Sequence, residues 1–194
     1  ASTGDANLSG SQVDATQVLN AKATKTLRTD AAKVTAGNLQ LSARDVSNAG
    51  GGLVQTGTAD TSITAVATLD NSGGRIASNA NNLKLGANRL DNSKGKVEHA
   101  GKGTLDIQVT QLAGSKGTLA SNGALSVKGR EVVVDDRLTQ GQQITLDTTT
   151  LSNQRGRILQ TGAQPLQVTA RERFDNQAGQ VSSSGAVNLK VGTL

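Results

Sequence analysis

Cysteine, methionine, tryptophan and tyrosine are absent from this 194-residue chain, and phenylalanine, proline and histidine occur once each. Without cysteine there is no disulfide framework, no zinc finger and no thiol nucleophile. A lone His99 leaves little room for imidazole chemistry. Leu, Ile, Val and Phe together make up about 22% of the residues, close to the composition of disordered chains. An ordinary globular core is not available to such a sequence, so order has to come from regular spacing. Long apolar runs are missing as well: none exceeds a triplet such as Val132–Val134, far short of the eighteen or so residues of a membrane-spanning helix. The N-terminus lacks a basic region followed by an apolar stretch, so no secretory signal is read there, and residue 1 is expected to be an internal boundary of a longer protein. The formal charge of +5 would suit a polyanion, but Lys and Arg are scattered singly and no aromatic surface exists for base stacking. Nucleic acid is therefore not an expected partner.

What is present is a repeat. Leu69–Ile76 (LDNSGGRI), Leu90–Val97 (LDNSKGKV) and Phe174–Val181 (FDNQAGQV) are its clearest copies. Val46–Leu53 (VSNAGGGL) and Leu151–Ile158 (LSNQRGRI) keep the Asn and Gly, and weaker copies begin at Leu27, Leu112 and Val132. From Leu27 to Leu194 the successive starts lie 19, 23, 21, 22, 20, 19, 23 and 20 residues apart, a period near 21. A second apolar residue follows seven positions after the first, as in Leu69/Ile76 and Leu90/Val97. A third position is an alternating pair: Leu39/Leu41, Ile63/Ala65, Leu83/Leu85, Leu105/Ile107 and their counterparts to Val187/Leu189. Alternation of period two places both members of a pair on one face of a strand. Helix is excluded by the missing 3.6 period and by the frequent Gly and Asn.

Three short strands per unit cannot bury so few apolar side chains alone, but stacked units can. If each unit winds once around an axis, equivalent residues lie about 4.8 Å apart and share a narrow interior. The expected fold is an all-β parallel β-helix of about nine coils of 19–23 residues, roughly 40 Å long. Residues 27–194 form the repeat array, and residues 1–26 a degenerate first coil or a lead-in. A leucine-rich repeat fits less well, because Asn48 follows the Leu39/Leu41 strand by seven residues instead of three.

Asn48, Asn71, Asn92, Asn153 and Asn176 occupy one place in their units, and stacked copies are expected to bond one another's amides as a ladder at a turn. Ala113 and Val134 are expected to interrupt it. Gly50 or Gly51, Gly73 or Gly74, Gly95, Gly156 and Gly179 are read as supplying the positive φ of that turn. Asp70, Asp91 and Asp175 are expected to cap it by accepting main-chain N–H groups.

The L-D-N-x-x-G-x-I/V-x-S motif, with L-x-L some seven residues beyond, resembles the haemagglutinin repeats of filamentous haemagglutinin-type exoproteins, over roughly Leu27 to Leu194. That family comprises long adhesins and contact-dependent growth-inhibition proteins of Gram-negative bacteria, exported by two-partner secretion. The resemblance implies a right-handed β-helix and a secreted, cell-surface location. It further implies an outer-membrane two-partner-secretion transporter as export partner, and a host-cell or target-bacterium receptor engaged through the parent protein. The expected role is a structural shaft that projects a distal binding or toxin region, without cofactor, metal or catalytic residues. End-to-end association of the isolated segment is expected from its open strand edges.

Two other classes of function are weighed against the shaft. An adhesive module binding a receptor or heparin-like glycan would use the modest basic strip Lys94, Lys96 and Lys102. A β-helical carbohydrate-active enzyme would need two opposed carboxylates, for which Asp135 and Asp136 are the nearest candidates; adjacent in sequence, they read as solvated turn charges. Glu98 and His99 read as an exposed loop pair, and Phe174 as a core residue instead of a sugar platform.

Overall fold

The computed structural model describes residues 2–192, in which eighteen strands form one parallel stack of about nine turns. From Thr61 onward the coils are built the same way. A long strand, such as Leu83–Asp91 or Gln143–Ser152, leads into the Asn turn, and a four-residue strand, such as Lys96–His99 or Arg157–Gln160, follows it. A loop then returns the chain to the next long strand. Strands pair in parallel with their equivalents in the coils above and below, and those of the first and last described coils on one side. Crossovers between parallel strands wind right-handed in about 98% of cases, consistent with the expected right-handed β-helix.

The apolar rows fall in the expected register. Leu27, Val46, Leu69, Leu90, Leu112, Val132, Leu151 and Phe174 stack one upon another. Val34, Leu53, Ile76, Val97, Leu119, Thr139, Ile158 and Val181 form the second row, with a buried Thr139 filling the place of an apolar residue. In the long strands Leu83 and Leu85 are both 0% exposed while Lys84 between them faces solvent. Ile63 and Ala65 are both buried, but shifted in register: Ile63 stands between Leu41 and Leu85 and Ala65 meets Ala43, so Thr61 and Ile63 hold the places of Leu83 and Leu85. The buried Thr61 hydroxyl is accommodated by Gln55 Oε1 and Ser78 Oγ, which is how a polar residue occupies a leucine row.

Residues 2–26 also pair in parallel with the coil above: Ala6 lies under Leu27, Val13 under Val34, and Leu19 and Ala21 under Leu39 and Leu41. Leu194, read as the start of a further unit, lies outside the described residues.

Candidate functional site

The Asn turns are tight turns closed by a bond from the fourth residue to the first, as in Gly95 N–H to Asn92 O at 3.0 Å. Their third residue has positive φ, the geometry of a type II turn. Gly50 and Gly73 hold that position in two coils, but Lys94, Lys116, Asp136, Arg155 and Ala178 hold it in others. The glycines that follow, Gly95, Gly156 and Gly179, therefore do not supply the positive φ expected of them. Their role is close approach between coils. A Cβ on Gly95 would lie 2.1 Å from Asn71 O and 2.6 Å from Asn92 Oδ1, and one on Gly179 would lie 2.1 Å from Asn153 O.

Within these turns Asn48 Nδ2 donates to Asn71 Oδ1, Asn71 Nδ2 to Asn92 Oδ1, and Asn153 Nδ2 to Asn176 Oδ1, each at 2.7 Å. The ladder is thus two runs. Its first interruption is Gly114, not Ala113: Ala113 pairs with Asp91, one place before the turn. Below the break Asn92 Nδ2 turns to Thr118 O, 3.2 Å away. The lower ends of the runs differ. Thr29 Oγ1 donates to Asn48 Oδ1 at 3.1 Å, whereas Val134 offers nothing to Asn153 Oδ1, which is buried without a hydrogen-bond partner.

The aspartates cap as expected. Asp70, Asp91 and Asp175 accept the N–H groups of Ser72, Ser93 and Gln177 at 2.8, 3.0 and 3.1 Å. Burial pushes the Asp91 carboxyl up, but the N–H and hydroxyl of Ser93 and the Arg89 guanidinium outweigh it and hold the group below the usual carboxylate range. The Gln177 N–H, with the Gln154 amide, does the same for Asp175. Where Ser47 and Ser152 replace this Asp, the coil below supplies one: Asp30 Oδ1 accepts from the Ser47 hydroxyl and Ala49 N–H, and Asp135 Oδ1 from the Ser152 hydroxyl and Gln154 N–H.

Asp135 is thereby occupied in a turn, and its neighbour Asp136 is clamped by Arg155 through Nε at 2.7 Å and Nη2 at 3.1 Å. That guanidinium holds the Asp136 carboxyl below its ordinary value, the opposite of what a general acid requires. Among the described residues no group of three or more His, Cys, Asp or Glu is placed to hold a metal ion.

A second polar column, which the sequence reading overlooked, lines the far end of the short strands. Gln55, Ser78, His99 and Ser121 stack in it, and Gly141, Gln160 and Ser183 continue it. His99 is 2% exposed, so it is not the exposed loop residue expected beside Glu98; it alternates inward from Val97, while Glu98 turns outward to Arg75 at 2.6 Å. Its Nε2 faces the carbonyl oxygens of Ala80 and Asn81 at 2.9 and 3.2 Å, so that nitrogen carries the hydrogen, and Nδ1 lies 3.0 Å from Ser121 Oγ. The same period-two alternation that marked the apolar rows would have placed His99 inward.

The basic candidates do not form one strip. Lys94 sits in the turn and Lys96 opens the strand Lys96–His99, but Lys102 lies beyond its other end, in the returning loop. Lys116, at the positive-φ place of the next coil, is the cation that joins Lys94 and Lys96; all three are exposed.

No family model matches this chain, and no solved structure matches it. It is 33% identical over 196 residues to a protein of Yersinia pestis named Toxin CdiA. The alignment takes in the whole of this chain but only 5% of that relative's length. The chain is a β-solenoid with distant similarity to a bacterial toxin.

Proposed function

We propose that this chain is a shaft segment of a secreted filamentous adhesin or contact-dependent inhibition exoprotein of the filamentous haemagglutinin type, whose work is mechanical display. The observation that carries the reading is the fate of the polar side chains. The buried Asn48, Asn71, Asn153, Gln55 and His99, with Asp30 and Asp135 at the turns, are spent on bonds from one coil to the next. A coil stack held this way adds about 4.8 Å of reach per coil. Similarity along the whole chain to a small part of a much longer toxin suits a segment that positions something else. Export through an outer-membrane two-partner-secretion transporter, display at the cell surface and a receptor met by a distal region belong to this proposal.

The test is made in the full-length parent protein. Deleting residues 27–131, five coils, should shorten the filament by about 24 Å and leave receptor binding or toxin delivery in place. Loss of binding with an intact filament would refute the shaft reading. A second reading, an anionic-glycan surface, draws support only from Lys94, Lys96 and Lys116 lying together; it requires salt-sensitive binding that disappears when the three are changed to Gln.

A further inference from the structure

Residues 27–80 and 132–185 align without a gap at a separation of 105 residues, the span of five coils. The coils beginning at Leu27, Val46 and Leu69 recur as those beginning at Val132, Leu151 and Phe174. The likeness extends to individual bonds. Gln55 Oε1 accepts the Leu39 N–H at 2.8 Å, and Gln160 Oε1 accepts the Ile144 N–H at 2.8 Å. The Nε2 of each Gln donates to two carbonyls of the loop that follows, Gly57 and Ala59 in one case, Gly162 and Gln164 in the other. Asp30 and Asp135 reach up to Ser47 and Ser152 in the same manner, 105 residues apart.

These devices coincide with the irregular coil lengths. A 19-residue coil that lacks its own Asn carries the upward-reaching Asp, and the 23-residue coil above it carries the extra loop that the buried Gln pins. Side chains on the outer surface do not follow the same rule: Gly50 corresponds to Arg155, Arg75 to Gln180, and the exposed Val66 to Arg171. The Gln and Asp devices are kept between the two segments, although some buried places differ, Thr29 corresponding to Val134 and Thr61 to Leu166.

We infer that the array is indexed by a five-coil block of 105 residues, whose 19- and 23-residue coils act as a matched doublet that admits only one partner above and below. The inference builds on the shaft reading and deepens it. Rows of Leu and Val alone are nearly interchangeable between coils, so a stack of similar coils needs polar matches to fix their order. The Gln-pinned loop and the Asp reaching between coils supply that match once per block. Reach then accumulates in steps of about 24 Å, five strand spacings.

The test is a pair of segment replacements in the full chain. In the first, residues 132–185 are placed where residues 27–80 stand, in phase with the block; in the second, the equally long segment 112–165 is placed there, out of phase. The in-phase chimera should unfold in one transition within about 5 °C of the parent, and the out-of-phase chimera should melt at least about 10 °C lower. Equal melting of both near the parent would overturn the block while leaving the shaft intact; failure of both to form a parallel β stack would overturn both ideas. Single variants guard against misfolded chimeras. Gln55→Leu should speed amide exchange about tenfold at Leu39 and through loop 56–60, and Gln160→Leu should do the same at Ile144 and loop 161–165. Different patterns of exposure in the two variants would contradict the equivalence.

Discussion

Asp135 Oδ1 accepts the backbone N–H of Gln154 from the coil above at 2.7 Å, in the place where Asp70, Asp91 and Asp175 serve their own turns. Where a carboxylate serves this turn, it can thus come from the turn's own coil or from the coil below. Asp135→Ala should cost about 1–2 kcal/mol in urea denaturation, because the Ser152 hydroxyl and Gln154 N–H both lose their acceptor. Adding Ser152→Asp, which recreates the arrangement of Asp70, should return at least half of that loss. Strictly additive effects of the two changes would contradict the exchange.

The second ladder run has an unmet acceptor at its foot, Asn153 Oδ1 above Val134. Val134→Thr should place a hydroxyl where Thr29 stands below Asn48, and raise stability by about 0.5–1 kcal/mol. Thr29→Val should lower it by a similar amount. A thermal melt in which Val134→Thr is destabilised, as Val to Thr ordinarily is in a core, would argue against the matched geometry.

Acid should weaken the stack through the same carboxylates. Asp91 and Asp175 are held below the ordinary aspartate value in the folded chain, so they stabilise it fully above that value, and their contribution is lost as pH falls through the lowered folded values. Melting temperature should therefore stay level near neutrality and fall below about pH 4. An Asp91→Asn, Asp175→Asn chain should show a shallower acid slope. The same slope in both chains would mean that the turns are not its source.

Lys94 combines a surface charge with φ of 58°, and the two can be separated. Lys94→Val should destabilise by about 1–2 kcal/mol, since a branched Cβ is poorly tolerated there, whereas Lys96→Val in the extended strand should have little effect. Similar losses in chemical denaturation would discount the turn geometry.

Leu85→Asp should cost at least about 3–5 kcal/mol, or abolish folding, because it leaves an unpaired charge in the shared interior. Lys84→Asp, one residue away on the outer face, should be tolerated. Equal damage from the two would reverse the assignment of faces.

Much of this architecture was legible in the sequence because its causes are local or strictly periodic. The seven-residue step from Leu69 to Ile76 and from Leu90 to Val97 identified two rows, and the Asn at a fixed offset identified the turn. What escaped depends on contacts between coils. Gly95 looks like a positive-φ residue, yet its missing Cβ makes room for Asn71 O of the neighbouring coil while Lys94 takes the left-handed conformation. Ile63 and Ala65 do face inward, but the place of Leu83 belongs to Thr61, which becomes an interior residue only because Gln55 and Ser78 stand beside its hydroxyl. His99 was readable from Val97 by alternation, but a charged Glu98 drew it toward the surface.

The stack itself is tested most directly by a distance along its axis. Ser62, Lys84, Asp106, Ser126, Thr145 and Gln167 follow one another in register, one per coil. With no native cysteine to interfere, nitroxide labels on Ser62→Cys and Gln167→Cys can be measured by pulsed electron resonance. Five strand spacings predict a single narrow distance distribution near about 24 Å. A broad distribution, or one centred beyond about 35 Å, would contradict the coil-on-coil stack.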